Sequence, residues 1–151
     1  MKVLCTNAQD VLKIDESQVE RLVKSFLSWK EVECDEVTIH FVDKEKITSL
    51  HSLHFDDPTP TDCISFPLDA PQEEDSGYKI LGEIFVCPEV AIEYSQKHNL
   101  SPLRELSLYI VHGLLHLLGF DDRDRSSEPI MRDEEKSAIS YLEQKEKILN
   151  G

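Results

Sequence analysis

The sequence predicts an α+β fold: a single domain over residues 1–151, built as a small mixed four-stranded sheet with about five helices packed against it. Three observations predict it. The apolar periodicity runs strand, helix, strand, helix, two strands, then three helices. Two short apolar runs, Cys63 to Phe66 and Ile80 to Val86, flank a polar Pro/Gly-bearing stretch and are placed to pair with each other. The chain has 151 residues and 40% apolar content, enough for one sizeable core.

The elements follow in order. Lys2 to Asn7 alternates apolar and polar residues, as a first or edge strand does. Ser17 with Glu20 three residues on reads as a capping box. Val19, Leu22, Val23, Phe26 and Leu27 then recur at helical spacing to about Trp29. In Glu36 to Val42, Val37, Ile39 and Phe41 alternate with Thr38 and His40, a strand pattern. The strand–helix–strand opening is expected to be right-handed.

Asp43 is placed to cap a helix through about Leu53, with Ile47 and Leu50 on its buried face. Breakers at Asp56 to Pro60 end it, and Pro67 ends the next strand. Asp69 to Gly77 is expected to be an exposed loop. Pro88 suits the first turn of a helix to about His98, and Ser101 with Pro102 starts a longer one to Leu118. A last, mostly charged helix is expected from about Pro129 to Leu149, with Ile130, Ala138, Ile139 and Leu142 as its apolar positions.

Charge limits the function. With 30 acidic and 16 basic side chains the net charge is −14, which argues against broad nucleic-acid binding through phosphates. An RNA substrate would need a metal, a local basic patch or a partner. Cys5, Cys34, Cys63 and Cys87 are scattered without a close pair, as thiols in a reducing compartment are. No apolar run is long enough to cross a bilayer, and the N-terminus turns polar too soon for a signal peptide. The expectation is a cytoplasmic protein with no membrane partner.

The segment HGLLHLLGFDD carries the chemistry. His112 and His116, four apart on a helix, share one face and aim both imidazoles at one point. Gly119 lets the backbone leave the helix through a left-handed turn. Asp122 then swings back as a third ligand. Three protein ligands and an open position are the pattern of a catalytic zinc site. Singly, each residue reads more simply: a core histidine, a helix cap, a surface charge. Together they satisfy a full spacing rule. The residue after the first histidine is Gly113, where zinc proteases of the HExxH type carry their glutamate base, so a protease mechanism lacks its base. Gly113 leaves room for a bulky substrate or for close helix packing.

HGLLHLLGFDD resembles the HGxLHLxGxDH signature of the YbeY family of ribosomal RNA maturation factors. PTDCISFP (Pro60 to Pro67) resembles that family's PTDVLSFP. LGEIFVCPEVA (Leu81 to Ala91) resembles its LGDI-type strand and following helix, and RELSLYIVHG (Arg104 to Gly113) its lead-in to the metal helix. The matches run in the family order over roughly residues 36 to 135. The resemblance implies a four-stranded α+β fold and one zinc ion held by three side chains in a cleft. It implies a metal-dependent, single-strand-directed endoribonuclease. The implied role is ribosomal RNA maturation, including the 3′ end of the small-subunit RNA, and ribosome quality control. The implied partners are ribosomal RNA or ribosomal particles, with ribosome-associated proteins. A non-catalytic assembly factor with a structural metal is the alternative.

This sequence departs from the family pattern twice. Asp122 stands where the family has its third histidine; a carboxylate is a legitimate zinc ligand, but an anionic one lowers the charge of the centre and its Lewis acidity. Asp121 matches the family's own aspartate and competes with Asp122 for the ligand role. Upstream of PTD, His54 and Phe55 stand where many members carry Tyr-Arg, so the guanidinium that would grip a phosphate is absent. The resemblance also implies that Thr61, Asp62 and Ser65 line the cleft; by themselves they read as capping and turn residues. Glu105 reads either as a hydrogen-bond partner of a ligand or as an exposed helical carboxylate, and exposure is the expectation. No residue is assigned as catalytic acid or base.

Overall fold

The computed structural model describes residues 1–70 and 77–151. Its elements are β1 (Lys2–Ala8), α1 (Glu16–Trp29), β2 (Glu36–Val42), α2 (Lys44–Phe55), β3 (Cys63–Pro67), β4 (Ile80–Val86), α3 (Pro88–His98), α4 (Pro102–Leu117) and α5 (Glu128–Gln144). The strand order is β1-β2-β4-β3. β1 and β4 each run parallel to β2, and β3 pairs antiparallel with β4, Cys63 opposite Val86 and Pro67 opposite Gly82. The predicted mixed sheet and five helices are borne out. Residues 71–76, most of the expected loop, lie outside the described residues.

The sheet's alternation decides where the core sits. Val37, Ile39 and Phe41 of β2 and Ile84 and Val86 of β4 are fully buried, together with Val19, Leu22, Val23 and Phe26 of α1, Ile110 and Leu114 of α4 and Met131 of α5. At about 1.5–3 kcal/mol for each large apolar side chain fully buried, this cluster is the main stabilising term. On the sheet's other face a smaller cluster of Val42, Ile47, Ile64 and Cys87 anchors α2, with Leu50 packed partly against it.

Three expectations need correction. The cap of α1 is Asp15, whose carboxylate accepts from the Ser17 amide at 2.9 Å; Ser17 lies inside the helix and donates its hydroxyl to that carboxylate. The acid one position ahead of the first turn outcompetes the capping box. α5 ends at Gln144, not near Leu149. Glu146 turns left-handed (φ 57°), the Lys147 amide reaches back to Leu142 O, and the Leu149 amide donates to Ser107 Oγ at 3.0 Å. The chain thus doubles back to bury Leu149 against α4. Ile130 is exposed, and the buried face of α5 is Met131, Glu135, Ala138, Ile139 and Leu142. A charged residue in the middle of that face hid the register.

Candidate metal centre

α4 is apolar around most of its circumference and lies against β3 and β4. Gly113 sets how closely. A Cβ there would stand 2.6 Å from Ile84 Cγ2 and 2.9 Å from Cys63 Sγ, so only hydrogen fits. The glycine serves close helix-on-sheet packing, not space for a substrate. Beside it the Ser65 hydroxyl donates to Gly113 O at 3.2 Å, tying β3 to the turn between the two histidines. α4 then ends, and Gly119 takes φ +101°, the left-handed exit its residue type predicts.

That exit brings Asp122 back under the helix. His112 Nε2 and His116 Nε2 are 3.1 Å apart, and the Asp122 carboxylate oxygens lie 3.5 Å from each ring. Two donors each 2.0–2.1 Å from a tetrahedral zinc lie about 3.3–3.4 Å apart. The 3.5 Å contacts are made by different oxygens, Oδ2 to His112 and Oδ1 to His116; taking one donor atom from each residue, all three lie within 4.8 Å of one another and are partly exposed, a grouping that could hold one metal ion. Asp121 is not in that group. Its carboxylate accepts from the Asp122 amide at 2.7 Å and from Arg123 Nε at 3.1 Å and 3.0 Å.

α5 supplies what sequence reading missed. The Glu135 carboxylate accepts a hydrogen bond from His112 Nδ1 at 2.7 Å, leaving His112 Nε2 to face His116 and Asp122. Arg132, one turn earlier on α5, donates to both Glu135 oxygens at 2.7 and 2.8 Å and stands 3.6 Å from Asp122. The arrangement is a carboxylate–histidine pair of the kind that orients metal-binding imidazoles. The only sequence signal was a glutamate on the apolar face of a helix.

Electrostatics separates the two rings. Burial pulls the His112 imidazole down, but the Glu135 bond and charge, with Asp62 and Asp122 behind them, hold it above its ordinary value. His116 is held below, by burial first and then by His112. Glu135 is pushed up by burial, yet His112 and Arg132 outweigh that and hold it low.

The cluster lies in an open cleft of about 520 Å³. Thr61, Asp62, Cys63 and Ser65 form one side, His51 and Phe55 from α2 another, and Asp121 to Arg123 a third. Thr61, Asp62 and Ser65 line it, as the resemblance implies. His54 packs edge-on against Phe66 at 4.9 Å and is not part of the lining, whereas Phe55 is. Glu105 is neither exposed nor a partner of the ligands. It is buried in the first turn of α4, hydrogen-bonded to Tyr109, and burial raises its carboxyl. All four cysteines are free thiols. No helix among the described residues is long and apolar enough to cross a membrane.

The fold and the cluster together define a class: a small α+β protein carrying, in an open cleft, a His-His-Asp group of the kind able to hold one metal ion. Within that class the chain belongs to the YbeY family, whose profile, described as endoribonuclease YbeY, matches residues 4–143. It is 48% identical over 141 residues to the endoribonuclease YbeY of Protochlamydia amoebophila, covering 93% of each chain. It is 35% identical over 149 residues to that of Chlamydia trachomatis serovar D, covering 98% of this chain and 92% of the relative. The solution structure of TM1509 from Thermotoga maritima has the same fold, with TM-score 0.62 at 24% identity over 93% of this chain and 89% of that one.

Proposed function

We propose that residues 1–151 form one domain of a cytoplasmic, metal-dependent endoribonuclease. It cleaves single-stranded regions of ribosomal RNA during maturation, including the 3′ end of the small-subunit RNA, and takes part in ribosome quality control. Its partners are ribosomal RNA, ribosomal particles and ribosome-associated proteins. The observation that carries the reading is the convergence of His112, His116 and Asp122, donor atoms within 4.8 Å of one another, in an open cleft of a YbeY-family chain.

His112, His116 and Asp122 hold one zinc ion in this reading. When bound, the ion polarises a phosphate oxygen and lowers the pKa of bound water. The chain's own groups do the rest. Glu135 keeps the proton on His112 Nδ1, so that Nε2 presents its lone pair to the centre. Arg132 neutralises part of the negative charge of Glu135 and Asp122. Asp62 lines the same cleft.

The second reading is a non-catalytic assembly factor with a structural metal. The phenylalanine at position 55 and the net charge of −14 favour it; the open cleft above the three donors disfavours it. Mass spectrometry of bound metal and cleavage of single-stranded RNA decide, for wild type, His116→Ala and Asp122→Ala. The nuclease reading expects one zinc and cleavage in wild type and loss of both in each variant. A protein that takes up no stoichiometric zinc removes the metal site. Zinc without cleavage in wild type leaves the assembly factor.

A further inference from the structure

Three carboxylates line the cleft, Asp62, Asp121 and Asp122, against one guanidinium, Arg123. Arg123 is 87% exposed and already paired to Asp121 through Nε and Nη2. A single-stranded nucleic acid neutralised by one cation shows a salt slope of only about −0.7, or about a threefold change in affinity between 50 and 200 mM salt. Attraction of phosphates by charged side chains is therefore a weak source of affinity here. The part of the lining from α2 offers another. Phe55 closes α2 with 55% of its surface exposed, on the same cleft as His112 and His116. His51 backs it one turn earlier, ring centroids 5.7 Å apart and tilted 52°. His51 is itself fixed by donating Nδ1–H to Thr59 O at 2.7 Å, and Asp56 ends the helix in a left-handed turn just beyond. The wall is thus built before any ligand arrives.

We infer that Phe55 is a stacking site for one unpaired nucleobase of the substrate strand, and that this contact, rather than charged side chains, supplies the affinity beyond that of the proposed metal centre. The inference rests on the ribonuclease reading and deepens it. An aromatic ring gains about 5- to 150-fold in affinity per stacked base and tolerates any base. It also reads strandedness, because a paired base has both faces covered by its neighbours in the helix. A position that reads as a lost phosphate grip becomes a base site.

The test uses the full-length zinc-loaded protein and a fluorescent 2′-O-methyl oligoadenylate, which resists cleavage, against an abasic strand of the same length. Anisotropy should give tighter binding of the intact strand by at least about fivefold. Phe55→Ala should weaken the intact strand by about 5- to 150-fold and leave the abasic strand unchanged, while Phe55→Trp retains binding. A thermal melt of each variant matching wild type confirms that folding is intact, as befits an exposed site. Equal binding of intact and abasic strands, or a Phe55→Ala protein indistinguishable from wild type, overturns the inference while leaving the nuclease reading standing. A steep salt slope with no effect at Phe55 assigns the affinity to phosphates and overturns it too. Wild type that neither binds nor cleaves any single-stranded RNA removes the nuclease reading, and the base site with it.

Discussion

Glu105 in the first turn of α4 and Glu135, on α5 against the other half of that helix, are almost equally buried, 5% and 4% exposed, yet their surroundings push them in opposite directions. Burial raises the Glu105 carboxyl; Tyr109 and Arg104 only partly offset it. Burial acts on Glu135 the same way, but His112 and Arg132 reverse it. Depth alone does not give a buried carboxylate its role. An imidazole donor and a guanidinium convert Glu135 into a fixed anion that aims an imidazole, while Glu105, with a phenol for its close partner, is a group whose charge the fold resists.

Gly113→Ala disturbs this contrast most. The added methyl must push α4 off Ile84 and Cys63, and overpacking of that kind costs about 1–3 kcal/mol. Urea unfolding should show a lower midpoint with an unchanged slope. An unaltered midpoint would mean the metal end of α4 is not held by the sheet.

Glu135→Gln comes next. In the metal-free protein it should destabilise at pH 7 by about 1–2 kcal/mol, the low end for bonds to charged groups because Arg132 is half in water. A lowered carboxyl contributes stability above its unfolded value of about 4.3 and loses it as pH falls toward the folded value. The difference between variant and wild type should therefore shrink in acid. Zinc affinity, by competition with a chromophoric chelator, should drop about 10- to 100-fold.

Glu105→Gln is the smallest change and has the opposite sign. A raised carboxyl adds stability below its unfolded value and loses it as pH rises through the folded one. The amide should thus melt slightly higher than wild type at pH 7, with the gain vanishing below about pH 4. A lower melting temperature at pH 7 would show that the charge on Glu105 is useful after all.

Local signals made most of the fold legible. Asp43 ahead of α2, Pro88 and Pro102 at their helix starts, and the alternation in β2 each act within a few residues, and each element stands where those residues put it. The end of α5 was not legible, because it is set by Leu149 returning to Ser107 across 42 positions. The same distance problem applies to the centre. His112, His116 and Gly119 speak through helical spacing, and Asp121 and Asp122 through the turn that follows. Glu135 and Arg132 reach the centre from a separate helix, 23 residues beyond His112 in the case of Glu135, and nothing local announces the pairing. Phe55 could be read only as a missing arginine until its ring was seen on the cleft wall.

Asp122 differs from its two companions in where it stands: the histidines ride on α4, whereas Asp122 lies on the connection between α4 and α5. Its side chain is not part of the apolar core; its contacts are the two histidines of α4 and Arg132 of α5. A single-nucleotide change interconverts aspartate and histidine codons. One step therefore separates an anionic from a neutral third ligand, and with it two acidities of the proposed centre, at a position outside the apolar core.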